Sequence, residues 1–222
     1  MLSNISNILF DLDGTLTDPG EGITRCIQYA LERLGAAMPL SDQLKWCVGP
    51  PLRASFSELL NTTDATILDQ ALVHYRKRFS EKGMFENILY PGVVSSLDEL
   101  QKSEFNLFLA TSKPRVFAQQ ILDHFEMTPF FQTVYGSELD GHLSDKGALI
   151  AHIIHQEGLD PAATVMVGDR VYDIEGGKAN KVMTAAVAYG YGSRDEIAAA
   201  SPDVVFETIA DLSKTLLSLG IG

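Results

Sequence analysis

Residues 8–15 read Ile8-Leu9-Phe10-Asp11-Leu12-Asp13-Gly14-Thr15. A short apolar run breaks off into two carboxylates and a glycine. That is how a buried parallel strand reads where it leaves a sheet for a loop. Side chains alternate at a strand end, so Asp11 and Asp13 turn to one side and Leu12 to the other, into the core. One carboxylate is then placed to attack and the other to handle a proton. Gly14 gives the turn the freedom to let a phosphate approach the backbone. An Asp-Gly pair alone is mostly an ordinary turn. The full Asp-x-Asp-Gly-Thr string is rarer, arising by chance in about one chain in several hundred of this size.

Similar apolar runs recur further on. Residues 106–110 end in Thr111-Ser112-Lys113, and residues 164–167 end in Gly168-Asp169. Residues 183–187 lead into Tyr189-Gly190-Tyr191-Gly192, and residues 203–206 come near the end. Helical patterns lie between them. Pro91 opens one running through Leu97 and Leu100. Ser144 caps another over 145–157, with Gly158 as its stop. The alternation predicts an α/β fold: a Rossmann-like parallel sheet covered by helices on both faces. Residues 19–85 break the pattern. They hold no strand signal, only helical patterns at 22–34, 41–47, 52–60 and 64–82. They read as an inserted all-helical cap (19–85), hinged near Asp18-Pro19 and over 86–91, on a core domain of residues 1–18 and 86–222.

Ligands of open parallel sheets bind at the carboxyl ends of the strands. Asp11 and Asp13 follow the first strand, Thr111 the second, and Asp169 a later one, with Asp173 four residues on. Lys146 starts a helix between them, an electrostatically unfavourable place for a lysine with no task. Carboxylates converging at strand ends call for a cation. Composition sharpens the point. With 17 Lys and Arg against 29 Asp and Glu, the formal net charge is −12. Such a chain is a poor partner for nucleic acid or an anionic membrane, so neither is expected. A phosphate substrate would still need local positive charge, which a metal could supply. Cys26 and Cys47 lack CxxC spacing and read as free buried thiols. Met1-Leu2-Ser3-Asn4 carries no signal-peptide pattern and no run reaches transmembrane length, so a cytoplasmic protein is expected.

Taken in chain order, Asp11-Leu12-Asp13-Gly14-Thr15-Leu16, Ala110-Thr111-Ser112-Lys113, Lys146, and Val167-Gly168-Asp169-Arg170 with Asp173 resemble the haloacid dehalogenase superfamily of aspartate-nucleophile phosphatases. The resemblance spans nearly the whole chain, and the helical insert looks like that family's C1-type cap. Thr17-Asp18-Pro19-Gly20-Glu21-Gly22-Ile23, Gly136-Ser137-Glu138-Leu139-Asp140-Gly141 and Tyr189-Gly190-Tyr191-Gly192 are similar to its phosphoglycolate phosphatase-like and 5'-nucleotidase-like group.

The resemblance implies a Mg²⁺-dependent phosphatase acting through an aspartyl-phosphate. Asp11 would be nucleophile and metal ligand. Asp13 would be general acid and base, binding the metal through its backbone carbonyl. Thr111 would hydrogen-bond the transferring phosphoryl group, with Gly14, Thr15 and Ser112 around the phosphate. Lys146 would offset the charge between nucleophile and phosphate. Asp169 would be a metal ligand, and Asp173 would steer waters or Lys146 from behind. The substrate would be a small phosphorylated metabolite, and the protein a monomer or weak homodimer. The chain departs from the family's usual pattern at Gly177 and Lys181, where Ala and Gly are commoner. Two adjacent glycines should weaken that helix.

In the cap, Gly49-Pro50-Pro51-Leu52-Arg53 is a stiff loop with an arginine. Arg53 can contact the far end of an anionic substrate, or simply start a surface helix. His152 and His155 lie three apart with no third ligand in sequence and read as solvated or core residues, as do His74, His124 and His142. Trp46 reads as cap core. A sugar phosphomutase of the same fold, a dehalogenase, and a binding module that has lost activity are the alternatives. Asp13 and the pair Asp169 and Asp173 argue against a dehalogenase. The intact set Asp11, Asp13, Thr111, Lys146 and Asp169 argues against a module that has lost its activity.

Overall fold

The computed structural model describes residues 4–219. The chain divides into two compact units, one of Met1–Thr17 with Leu89–Gly222 and one of Asp18–Ile88. The strands are β1 (Asn7–Phe10), β2 (Thr17–Asp18), β3 (Ile88–Leu89), β4 (Asn106–Pro114), β5 (Thr133–Ser137), β6 (Thr164–Gly168), β7 (Met183–Val187) and β8 (Val204–Phe206). Six of them form one sheet in the order β5-β4-β1-β6-β7-β8. Every neighbouring pair is parallel. The two-residue strands β2 and β3 pair with each other where the chain leaves the sheet and returns. β1 lies centrally, with β4 on one side and β6 on the other. Ile8, Leu9 and Phe10 are all fully buried, as a strand covered on both faces requires.

β5 carries no continuous apolar run. Thr133-Val134-Tyr135-Gly136-Ser137 is short, half polar and broken by a glycine, and it forms the sheet's edge, where one side needs no apolar cover.

The Asp18–Ile88 unit is helical: α1 (Gly20–Arg33), α2 (Leu52–Leu59) and α3 (Ala65–Glu81), with a 3₁₀ segment over Ser41–Cys47. Leu68, Ala71, Tyr75 and Phe79 recur at helical spacing on the buried face of α3. Tyr75 stacks on Phe79 and meets Phe56 edge-on. Asp64 caps α3, its carboxylate accepting from the N–H of Thr66 and of Ile67. Glu86 is gripped by Arg78 through two hydrogen bonds, 2.7 and 3.0 Å, and by Arg25 at 3.0 Å. Trp46 is not core: it is 39% exposed. The 3₁₀ segment repeats every three residues, so Leu44 and Cys47 share its buried side and Trp46 faces away.

The remaining helices are α4 (Val93–Lys102), α5 (Arg115–His124), α6 (Lys146–Glu157), α7 (Val171–Ala179), α8 (Arg194–Ala200) and α9 (Ile209–Leu219). Leu9, Phe108, Ala110 and Met166 of the sheet pack against Leu149, Ile150 and Ile153 of α6. Two helix starts differ from the sequence expectation. α4 begins at Val93 behind a left-handed Gly92, φ 84°, not at Pro91. α6 is capped by Asp145, not Ser144, its carboxylate accepting from Ala148 N–H at 2.8 Å. Lys146 therefore occupies the first helical position.

The α7 departures have a packing cause. A Cβ at Gly177 would stand 2.6 Å from Thr184 Cγ2, and one at Gly176 would meet the backbone of Gly147 at 3.0 Å and of Lys146 at 3.1 Å. The paired glycines let α7 lie close against β7 and α6. Lys181 has φ 59°, the left-handed conformation in which a glycine carries no Cβ strain.

Candidate active site

The ends of β1, β4 and β6 lie side by side, and the sequence-predicted polar residues gather there. Phe10 pairs with Leu109 on one side and Val167 on the other. Asp11, one residue beyond, donates its N–H to Val167 O at 2.9 Å. Its side chain therefore starts where β6 ends, beside Ala110 of β4. Leu12 is fully buried, so Asp13 returns toward the site side.

Three carboxylates converge. One oxygen each from Asp11, Asp169 and Asp173 lie within 4.8 Å of one another. Glycines make this approach possible. Gly14 has φ 85°, and a Cβ there would stand 2.2 Å from Asp169 Oδ2. A Cβ at Gly168 would stand 2.1 Å from Asp173 Cγ. Asp173 in turn sits in the first turn of α7 and accepts the N–H of Arg170 at 3.1 Å.

Lys146 is the cation among them, its side chain only 4% exposed. Its Nζ donates to Ala110 O at 2.8 Å and lies 3.0 Å from Asp11 Oδ1 and 2.8 Å from Asp173 Oδ1. Burial pulls its pKa down, but Asp11 and Asp173 outweigh burial and hold it above the ordinary lysine value. One lysine does not neutralise three carboxylates. Burial first, then the charges of Asp173 and Asp11, push the Asp169 carboxyl well above its usual range. Burial also pushes Asp173 up, against the pull of Lys146. Asp11 Oδ1 and Asp173 Oδ1, the oxygens that face Lys146 Nζ, are buried with no aligned hydrogen bond among the described residues. A hard divalent cation meets all these conditions: oxygen donors, excess negative charge and unsatisfied lone pairs. The residues fit a metal, with Asp11, Asp169 and Asp173 as the carboxylates that could hold it.

Thr15 and Thr111 are buried beside these groups. Thr15 Oγ1 donates to Asp169 Oδ1 at a long 3.5 Å. Thr111 Oγ1 accepts the N–H of Lys113 at 3.3 Å, and Ser112 O accepts from Ser137 Oγ at 2.8 Å. Arg53 belongs to the helical unit, where it pairs with Asp69 and is half exposed. His155 is exposed, and His152 packs edge-on against Tyr135. Cys26 and Cys47 are both buried and neither is in a disulfide.

Two features escaped the sequence reading. Lys113 Nζ lies 2.7 Å from Asp13 Oδ2, with side-chain exposures of 6% and 13%. Burial raises the Asp13 carboxyl above its ordinary value while Lys113 opposes the rise. The lysine stood in the Thr111-Ser112-Lys113 string, but a bulge, not simple alternation, aims it. The second is the loop after β7. Tyr191 N–H donates to Asp169 Oδ2 at 2.7 Å, and Tyr189 OH donates to Thr15 O at 2.7 Å. The alternation of tyrosine and glycine in Tyr189-Gly190-Tyr191-Gly192 was the available signal.

A family model for haloacid dehalogenase-like hydrolases matches residues 8–187. A 5'-nucleotidase of Pseudomonas aeruginosa is 43% identical over 212 residues, covering 96% of this chain and 96% of its own. The tyrosine-protein kinase PtkA of Mycobacterium tuberculosis is 36% identical, over 94% of this chain and 72% of its own. A crystal structure described as a predicted phosphatase from Clostridium acetobutylicum superposes with a TM-score of 0.92 at 39% identity, covering 97% of this chain and all of that one. With its strand-end carboxylates and buried lysine in place, the chain belongs to the haloacid dehalogenase-like hydrolase family.

Proposed function

We propose that this phosphoric monoester hydrolase cleaves small phosphorylated metabolites, of the phosphoglycolate or nucleoside monophosphate type, through a phosphorylated Asp11 and with Mg²⁺. The observation that carries the reading is the convergence of Asp11, Asp169 and Asp173 within 4.8 Å of one another, with Lys146 paired to Asp11 and Asp173. Asp11 attacks phosphorus as the P–O bond to the leaving group breaks. The bonding pair goes to the leaving oxygen, which takes a proton from Asp13. Asp13 then takes a proton from the water that attacks the phosphorylated Asp11, releasing phosphate. Lys146 offsets charge at Asp11, and Thr111 hydrogen-bonds the phosphoryl group, with Gly14, Thr15 and Ser112 around the phosphate. Bound at Asp11, Asp169 and the Asp13 carbonyl, Mg²⁺ would supply the positive charge that lets a carboxylate approach a phosphate dianion.

The names of the P. aeruginosa relative and of more distant phosphoglycolate phosphatases support this substrate class. Phosphate release from a panel of nucleoside monophosphates, phosphoglycolate and an aryl phosphate, with Mg²⁺ and with excess chelator, tests it. Metal-independent turnover, or none on any monoester, would contradict it. Parallel incubation with ATP and a tyrosine peptide separates hydrolysis from the transfer that the kinase relative's name denotes.

The helical unit supplies the specificity contacts in this reading, with Arg53 meeting the carboxylate of phosphoglycolate-type substrates. Arg53→Ala should raise KM for phosphoglycolate roughly ten- to a hundredfold and leave an aryl phosphate nearly unchanged. Equal losses on both, or none on either, would remove Arg53 from substrate recognition.

A further inference from the structure

The site holds two buried lysines, and only one has a role so far. Lys146 serves Asp11 and Asp173. Lys113 serves Asp13, its Nζ 2.7 Å from Oδ2. The backbone of Lys113 is built for this. Along β4 and β5, Thr111 pairs with Gly136 but Pro114 with Ser137, so two residues, Ser112 and Lys113, bulge out of register. The bulge is pinned from three sides. Ser137 Oγ donates to Ser112 O, and Lys113 N–H donates to Thr111 Oγ1. Gly136 lies so close to Lys113 O that a Cβ there would stand 2.6 Å away. The outcome at Asp13 is asymmetric. Oδ2 is held by Lys113, while Oδ1 is buried with no hydrogen-bond partner among the described residues.

We infer that Lys113 is the positioning residue for Asp13: it holds Oδ2 so that Oδ1 is the atom that exchanges a proton with the leaving oxygen. This rests on the phosphatase reading above. As the P–O bond breaks, the proton on Asp13 Oδ1 passes to the leaving oxygen, and the carboxylate left behind is already paired with Lys113. The effect is confined to steps in which the leaving oxygen needs a proton. An alkyl phosphate, whose alkoxide leaves poorly, depends on it. A dinitrophenyl phosphate, whose phenolate leaves unaided, does not.

The test is the leaving-group dependence of kcat/KM for Lys113→Met. The expected loss on an alkyl phosphate is about ten- to a hundredfold larger than on 2,4-dinitrophenyl phosphate. In an Asp13→Asn background, Lys113→Met should add little further loss on the alkyl phosphate, because the two residues act as one unit. Equal losses on both substrates, additive losses in the double variant, or no loss at all would each overturn the inference. Circular dichroism checks the fold, with Lys113→Gln as the second variant. Unfolding of both would assign Lys113 to stability and overturn the inference as well. Mg²⁺-dependent turnover of the alkyl phosphate by the unaltered chain tests the phosphatase reading separately, so the two failures are distinguishable.

Discussion

The main-chain N–H of Tyr191 holds Oδ2 of Asp169 at 2.7 Å. Gly190, just before it, leaves no room for a methyl group: a Cβ there would stand 2.3 Å from Asp169 Cβ and 2.4 Å from Gly14 O. The loop after β7 thus fixes one of the three clustered carboxylates through a backbone N–H. Gly190→Ala should destabilise the protein by about 1–3 kcal/mol through overpacking. It should also weaken Mg²⁺ binding, read by titration calorimetry, by roughly tenfold or more. Unchanged metal affinity would mean that the loop does not set the position of Asp169.

Lys146 holds Asp11 and Asp173 together, so Lys146→Met leaves two buried carboxylates without their cation. In the absence of divalent metal the variant should lose about 3–5 kcal/mol of stability. Mg²⁺ should return part of that loss, raising the melting temperature more in the variant than in the unaltered chain. Turnover should fall by about a hundredfold or more. Equal thermal shifts on adding Mg²⁺ would contradict a shared charge balance at Asp11 and Asp173.

Within the helical unit, Glu86 carries the pH dependence most plainly. Its hydrogen bonds to Arg78, against the opposing effect of burial and with Arg25 adding to the pull, hold its pKa below the ordinary 4.5. A depressed carboxylate stabilises the fold above its unfolded pKa, and that contribution disappears as pH falls through the folded value. Glu86→Gln should therefore cost about 1–3 kcal/mol at pH 7. The gap should narrow as pH falls below 4.5 and close only below the lowered folded value, where the native Glu86 is also protonated. Urea denaturation at pH 7 and at a series of acid pH values measures it. A gap that stays constant down to pH 3 would exclude ionisation of Glu86 as its source.

The parts that were legible in the chain are those written in local pattern. Ile8-Leu9-Phe10 and the run 164–167 announced buried strands because both faces are covered, leaving no polar alternation. Asp11, Asp169 and Lys146 announced themselves by standing where these strands end or a helix begins. What stayed hidden depends on contacts between distant segments. Edge strand β5 lacks an apolar run. The aim of Lys113 follows from a bulge set by Gly136 and Ser137, more than twenty residues on. The grip on Asp169 comes from a backbone N–H, which every non-proline residue carries and no pattern marks. Trp46 looked like core because it is large and apolar, yet three-residue spacing turned it outward.

In the proposed mechanism Asp11 takes the phosphoryl group. The direct measurement is chemical trapping during turnover. The chain is mixed with substrate and Mg²⁺, quenched within one turnover, and reduced with borohydride, which converts an aspartyl-phosphate to homoserine. Peptide mass spectrometry then reads position 11. Homoserine is expected at position 11, absent without substrate and absent in Asp11→Asn, whose turnover should fall by several orders of magnitude. Steady hydrolysis with position 11 still aspartate in every quenched sample, or an Asp11→Asn variant that keeps its rate, would contradict it.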